Sequence, residues 1–233
     1  MKKIVIGISE GSNYHNYENW MKDEPCVEII KLSYQLDNIN EIEKCDGVIL
    51  TGGGDINPQL YHQPGFMAYI DPKDIDMKRD EFEWKIMQHI DEKQKPLLGI
   101  CRGLQFANVY FGGVLLPDIP SFGKFNHAKF NEGKDREHTV DIDPNSQLYQ
   151  ITGEEKGWIN SSHHQSVDIP GFGLVANALS PDGIIEGMER KEREGKAYLM
   201  LVQWHPERMA NQQSNFVKKI KQSFLDAVRE NCN

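Results

Sequence analysis

Short apolar runs alternate with longer amphipathic stretches through the first half of the chain, as a parallel sheet with crossover helices requires. "KIVIGIS" predicts a first strand, "CDGVILTGGG" a strand running into a glycine turn, and "PLLGIC" a third strand. Between the last two, "DIDMKRDEFEWKIMQHIDEK" places Met77, Phe82, Ile86, Met87 and Ile90 near one helical face. From Arg102 the pattern is helical through Tyr110, and Gly112-Gly113 stop it. The polar segment "EGSNYHNYENW" after the first strand reads as loop.

The second half has more strand character. "EHTVDID", "GLVANAL", "GIIEGME" and "AYLMLVQW" are expected strands, separated by "DPNS", "IPGFG", "SPDG" and the charged, hairpin-like "RKEREGK". The end, "QQSNFVKKIKQSFLDAVRE", spaces Phe216, Ile220, Phe224 and Val228 four apart and predicts a closing helix. No repeat, low-complexity linker or composition break divides the chain, so residues 1–233 are expected to form one α/β domain.

Composition changes this picture little. With 233 residues, 39% of them hydrophobic, one sizeable core is within reach. A formal net charge of −9 argues against a nucleic-acid partner, because neutralising phosphates takes surplus Lys and Arg. No apolar stretch approaches the roughly 20 residues needed to span a bilayer. The start, "MKKIVIG", is too short in apolar residues for a secretory signal. Cys26, Cys45, Cys101 and Cys232 are scattered without a CxxC pair. Reduced thiols in a cytoplasm are therefore expected over disulfides.

Candidate chemistry begins at "PLLGICRGLQFANVYFGG". A cysteine that only fills core needs no glycine on either side, yet Gly99 and Gly103 flank Cys101 where a strand hands over to a helix. A nucleophile on such a turn sits in strained backbone with its side chain above the sheet edge. The flanking positions must be small, because a Cβ there would strike the neighbouring backbone. The following helix aims its N–H groups and dipole at the sulfur, which favours thiolate. The N–H of Arg102 is then available to a developing oxyanion. The competing reading is a buried structural cysteine beside glycines that merely end a strand.

A thiolate needs a base, usually a histidine held in one tautomer by an acceptor. Of eight histidines, His205 closes the run "YLMLVQW" at an expected strand end, where α/β sheets bind ligands, and Pro206 lets Glu207 turn back towards the ring. His15, His62, His89 and His127 lie in polar surroundings and read as solvated. Gly52, Gly53 and Gly54 follow a buried strand, so their N–H groups can line a site. "GGGDINP" lacks the Gly-Lys-Ser/Thr of a phosphate loop, which removes that reading. "NSSHHQS", Asn160 to Ser166, reads as a ligand-facing loop. His163, His164 and the pair His205/Glu207 are ligand-type residues, but no spacing matches a zinc signature, so no metal or other cofactor is expected.

Together these residues resemble the class I glutamine amidotransferase-like family, and within it the Peptidase C26 branch of stand-alone γ-glutamyl hydrolases. The likeness runs almost end to end through "LTGGGDINPQLY", "RDEFEW", "PLLGICRGLQFANVYFGG", "INSSHHQSV", "SPDGIIEGME" and "VQWHPE". It implies a mostly parallel, flavodoxin-like sheet flanked by helices, with Cys101 as nucleophile, His205 as base then acid, and Glu207 orienting His205. It further implies an oxyanion hole from the N–H groups of Arg102 and of Gly53 or Gly54, and γ-glutamyl contacts from Gln105, Ser162 and His163. The implied activity is hydrolysis of a γ-glutamyl amine such as γ-glutamyl-γ-aminobutyrate, without cofactor, nucleic acid or membrane. Two rivals share the resemblance: a glutaminase subunit feeding a separate synthase, and an inactive binding protein on the same fold. The chain departs from the family at Pro117, usually Gln, and at His62, commonly Gly. The released amine and any homo-oligomer stay open.

Overall fold

The apolar run after Lys3 forms β1 (Ile4–Ser9) in the computed structural model, which describes residues 3–232. The chain continues through α1 (Tyr14–Lys22), β2 (Val27–Leu32), β3 (Gly47–Leu50), α2 (Met77–Lys93), β4 (Leu97–Ile100) and α3 (Arg102–Tyr110). It then forms β5 (Val114–Leu116), β6 (Arg136–Ile142), α4 (Gln147–Thr152), β7 (Lys156–Ser161) and β8 (Ser166–Ile169). The last elements are β9 (Leu174–Leu179), β10 (Ile185–Arg190), β11 (Leu199–Val202) and α5 (Asn215–Asn231).

The central sheet is mostly parallel: β2, β1, β3, β4 and β11 lie side by side and all run the same way. Helices cover both faces, so these strands carry near-continuous apolar runs rather than alternation. Ile6, Ile49, Leu98 and Val202 point to one layer with α1 and α5, and Val48, Leu50, Leu97 and Leu201 to the other with α2 and α3. Beyond β11 the sheet continues antiparallel through β10, β9, β6 and β7, while β8 joins β10 to β5. The stretch "RKEREGK" is the hairpin between β10 and β11.

Several expectations need correction. "EGSNYHNYENW" is not loop: Tyr17, Trp20 and Met21 form the buried face of α1, and the polar residues between them cover its exposed side. Met77 is 59% exposed. At about 3.6 residues per turn it lies on the opposite side of α2 from Ile86, so the helix turns it away from the core. β2, β5, β7 and β8 are strands that the apolar pattern does not predict. Three of them sit at or near an edge of the sheet or carry polar residues, which breaks the apolar run. Among the described residues no helix is long and apolar enough to cross a membrane.

α5 closes one layer with Phe216, Ile220, Phe224 and Val228, all buried, and Ser214 caps it by accepting the N–H of Phe216. Phe224→Ala is expected to lower unfolding free energy by about 3–5 kcal/mol. Urea denaturation followed by circular dichroism checks this, and an unchanged midpoint would contradict the packing described.

Candidate active site

Strand β4 ends one residue before Cys101, and α3 starts one residue after it. Cys101 adopts φ 54° and ψ −107°, a conformation that L residues avoid at a cost of about 1–3 kcal/mol. Its N–H donates to Val202 O in β11 (2.8 Å), which ties the turn to the neighbouring strand. A Cβ on Gly99 would lie 2.6 Å from Leu201 Cδ2 and 2.9 Å from the Gly103 backbone; one on Gly103 would lie 2.2 Å from Leu50 O. Both small residues are therefore required by contact, as the spacing around Cys101 predicts.

His205 follows β11 and is set from both sides. Its backbone N–H donates to Asn160 Oδ1 (2.9 Å), and its Nδ1 lies 2.9 Å from Glu207 Oε1. The Cys101 and His205 side chains face the same point: a Cβ on Gly52 would lie 3.1 Å from His205 Cε1 and 3.5 Å from Cys101 Cβ. With Nδ1 on Glu207, Nε2 is the nitrogen that meets the sulfur. Burial by itself would lower the imidazole pKa, but the Glu207 carboxylate, the Cys101 sulfur and the hydrogen bonds to both push it up to about 10. An imidazolium beside a thiol is the setting in which cysteines react at neutral pH.

Tyr17, on α1, went unnoticed in the sequence because its segment read as loop. Its hydroxyl accepts the Gly52 N–H (2.9 Å). Burial, the Glu207 carboxylate and the Cys101 sulfur all hold the phenol well above its usual range, so it stays neutral. Gly52 leaves little room: a Cβ there would lie 2.9 Å from Tyr17 Oη and 3.1 Å from His205 Cε1. Gly53 and Gly54 continue this loop. A Cβ on Gly54 would lie 2.3 Å from Asp74 O, so the loop passes directly against backbone.

Beneath the loop runs a buried ionic network that explains "RDEFEW". Arg102 pairs with Glu83 through one guanidinium nitrogen and with Asp80 through another. Glu83 also accepts from Arg79 Nε (3.0 Å) and Ser9 Oγ (3.1 Å). Arg79 reaches on to Thr51 O (3.1 Å) and Gly52 O (3.0 Å). Burial pushes the Glu83 carboxyl up, but Arg102 and Arg79 outweigh it and hold the group ionised. The Arg102 side chain is thus committed below the site, and only its backbone faces Cys101.

Other expected residues fall differently. Gln105 is buried, its Nε2 donating to Gln165 O (3.0 Å) and Gln203 Oε1 (3.1 Å). Ser162 is partly exposed in the turn between β7 and β8. The His163 imidazole is turned to other partners: its Nδ1 lies 2.9 Å from Gln165 O and its Nε2 3.6 Å from Glu186 Oε1. Its neighbour His164 faces the glycine loop instead, with Nε2 2.9 Å from Asp55 Oδ1 and Nδ1 3.4 Å from Asp118 Oδ1. His127 is not solvated but 3% exposed, covered by contacts its local sequence does not reveal. His62 has φ 58°, the left-handed region that the family's glycine enters without strain.

The sequence profile of the Peptidase C26 family matches residues 26–207. This chain belongs to that family. As a Peptidase C26 protein it is a hydrolase of glutamine amidotransferase-like descent. Protein NtpR of Enterococcus hirae is 36% identical over 169 residues, 71% of this chain and 68% of that one. The γ-glutamyl-γ-aminobutyrate hydrolase PuuD of Escherichia coli K12 is 29% identical over 174 residues, 71% of this chain and 65% of that one. Among solved structures, the glutaminase domain of Trypanosoma brucei CTPS with bound acivicin superposes with a TM-score of 0.66 at 13% identity, covering 98% of this chain and 94% of that one. A glutamine amidotransferase of Thermotoga maritima gives 0.61 at 13% identity, covering 99% and 86%. These neighbours share the class I glutamine amidotransferase fold.

The raised His205 pKa sets a pH dependence. A folded-state value above the free imidazole's 6.5 contributes stability that is full below about pH 6.5 and lost as pH rises towards about 10. The melting-temperature difference between wild type and His205→Asn should therefore shrink between pH 6 and pH 10. A difference that stays constant across parallel thermal melts would remove the imidazolium from this site.

Proposed function

We propose that this Peptidase C26 protein hydrolyses the γ-glutamyl amide bond of a small γ-glutamyl amine, releasing glutamate and the free amine. One observation carries the reading: a cysteine held at positive φ on a strand-to-helix turn faces, across Gly52, a histidine whose Nδ1 rests on Glu207. The γ-glutamyl-γ-aminobutyrate hydrolase activity for which the Escherichia coli relative is named supports the γ-glutamyl class.

In this mechanism the Cys101 sulfur attacks the side-chain carbonyl carbon, and the carbonyl electron pair moves to oxygen. The N–H of Arg102 and that of Gly53 or Gly54 hold the oxyanion; Gly52 is not available, since its N–H goes to Tyr17. Collapse breaks the C–N bond while His205 gives its proton to the departing amine, leaving a γ-glutamyl thioester. Neutral His205 then takes a proton from water, whose oxygen attacks the thioester. Glutamate leaves, and sulfur and imidazole return to their starting states. Glu207 stabilises the imidazolium and fixes its tautomer throughout. Ser162 is assigned to the γ-glutamyl end. Gln105, its amide nitrogen committed elsewhere, offers that end only its carbonyl oxygen.

The purified chain alone is expected to release glutamate from γ-glutamyl-γ-aminobutyrate faster than from glutamine. Turnover of glutamine only would instead favour a glutaminase subunit. Cys101→Ala should keep its circular dichroism spectrum and lose turnover; residual wild-type activity would rule out the thioester. Glu207→Gln should lower kcat by about 10²–10⁴-fold, with KM little changed.

A further inference from the structure

Away from Cys101, four side chains from four separate segments converge: His127 from the loop before β6, His138 on β6, His163 after β7 and Glu186 on β10. One nitrogen of each histidine and one Glu186 oxygen all lie within 4.8 Å of one another. From Glu186 Oε1 the distances are 3.1 Å to His127 Nδ1, 3.4 Å to His138 Nε2 and 3.6 Å to His163 Nε2. Glu186 is fully buried, and His127 and His163 nearly so.

The outer nitrogens decide what the inner ones present. His138 Nδ1 lies 3.0 Å from Thr139 O, and His163 Nδ1 lies 2.9 Å from Gln165 O. A backbone carbonyl only accepts, so both Nδ1 atoms carry hydrogens. In the neutral ring each Nε2 then turns a lone pair towards the carboxylate. His127 Nε2 lies 3.2 Å from Asp182 Oδ1, and Asp182 is itself held by the Phe125 N–H (2.8 Å) and Ser180 Oγ (2.6 Å). Among the described residues the three inward nitrogens and both Glu186 oxygens have no partner of hydrogen-bond geometry, and the nitrogens meet only the Glu186 carboxylate, at 3.1–3.6 Å. Buried polar atoms rarely stay unpartnered, and a lone pair facing a carboxylate repels it unless a proton or a metal ion sits between. Protons on all three rings would crowd three positive charges within 4.8 Å around one carboxylate, whereas one metal ion satisfies every atom at once.

We infer that His127, His138, His163 and Glu186 form a binding site for one zinc ion. A tetrahedral ion with bonds of about 2.0–2.1 Å has ligand-to-ligand edges of about 3.3 Å, which the three distances from Glu186 bracket. Three imidazoles and one carboxylate are borderline donors suited to Zn²⁺ and lack the all-oxygen character of a Ca²⁺ or Mg²⁺ site. Each ring passes its outer N–H to a carbonyl or carboxylate, the support that fixes metal-bound histidines. Glu186 and Asp182 balance the divalent charge. With four protein ligands the site is closed, so its role is structural.

Its position gives that role content. His127 O accepts from Ser161 Oγ (2.8 Å) and from the His163 N–H (3.1 Å). Gln165 O accepts from both His163 and Gln105, which follows Cys101 by one helical turn. The ion fastens the loop before β6 and the β7–β8 turn to β10, beside the strand that carries His205.

The test is metal analysis of the full chain, freed of any affinity tag, stripped with chelator and dialysed. Competition with a chromophoric chelator should show about one Zn²⁺ per chain, and Co²⁺ in its place should give tetrahedral visible absorption. Added Zn²⁺ should raise the melting temperature. His138→Gln and Glu186→Gln should abolish this binding, and Asp182→Asn, which keeps all four ligands, should weaken it about 10–100-fold. Cys101→Ala should bind as wild type does. A stripped chain that is folded by circular dichroism and takes up no Zn²⁺ would overturn the inference. So would uptake lost in Cys101→Ala but kept in Glu186→Gln.

Discussion

Gly103 passes so close beneath Leu50 that a Cβ would lie 2.2 Å from the Leu50 carbonyl oxygen, and this approach of α3 to β3 governs the carboxyl edge of the sheet. It lets α3 start directly after β4, with no loop to relax the turn. Cys101 is therefore forced to positive φ. The strain persists because the surroundings over-determine it: the Cys101 N–H is bound by β11, and Gly99 packs against Leu201. The same parallel register places β11, and hence His205, next to the turn. Sulfur and imidazole meet because two neighbouring strands end together.

The ionic network under the glycine loop makes this edge rigid. Four charged groups, Arg79, Asp80, Glu83 and Arg102, are buried together and neutralise one another. Breaking such a group costs far more than replacing it whole would, because the remaining charge is left without a partner. Arg102 links the two levels: its guanidinium anchors α2 below, while its backbone stands at the start of α3 beside the sulfur. Arg79 does the same for the loop by holding the Thr51 and Gly52 carbonyls, which fixes the direction of that loop's N–H groups.

The antiparallel half of the sheet supports the site from the other side. Asn160 at the end of β7 holds the His205 backbone, and Gln203 donates its N–H to Glu186 O (2.8 Å). The histidine cluster around Glu186 thus lies one strand from the His205 strand, and the two groups of histidines share a framework without sharing a ligand. The loop before β6 is long and polar, and the burial of His127 shows that it is pinned at its middle.

The one-dimensional pattern was enough for what depends on neighbours along the chain. Apolar runs marked β1, β3, β4 and β11, the four-residue spacing of Phe216, Ile220, Phe224 and Val228 marked α5, and glycines two residues either side of Cys101 marked the turn. Glu207 could be matched to His205 because only Pro206 separates them. Tertiary structure decided what depends on segments distant in sequence. Tyr17 reaches Gly52 only because α1 packs over the sheet edge, and the polar residues around it hid the helix. His127 reads as solvated until β6, β7 and β10 close around it, and His163 looks like a substrate contact until Glu186 arrives from another strand. A side chain's local environment is written in its own stretch of sequence, whereas convergence of four such stretches on one point is set by strand order and register, which no short spacing encodes.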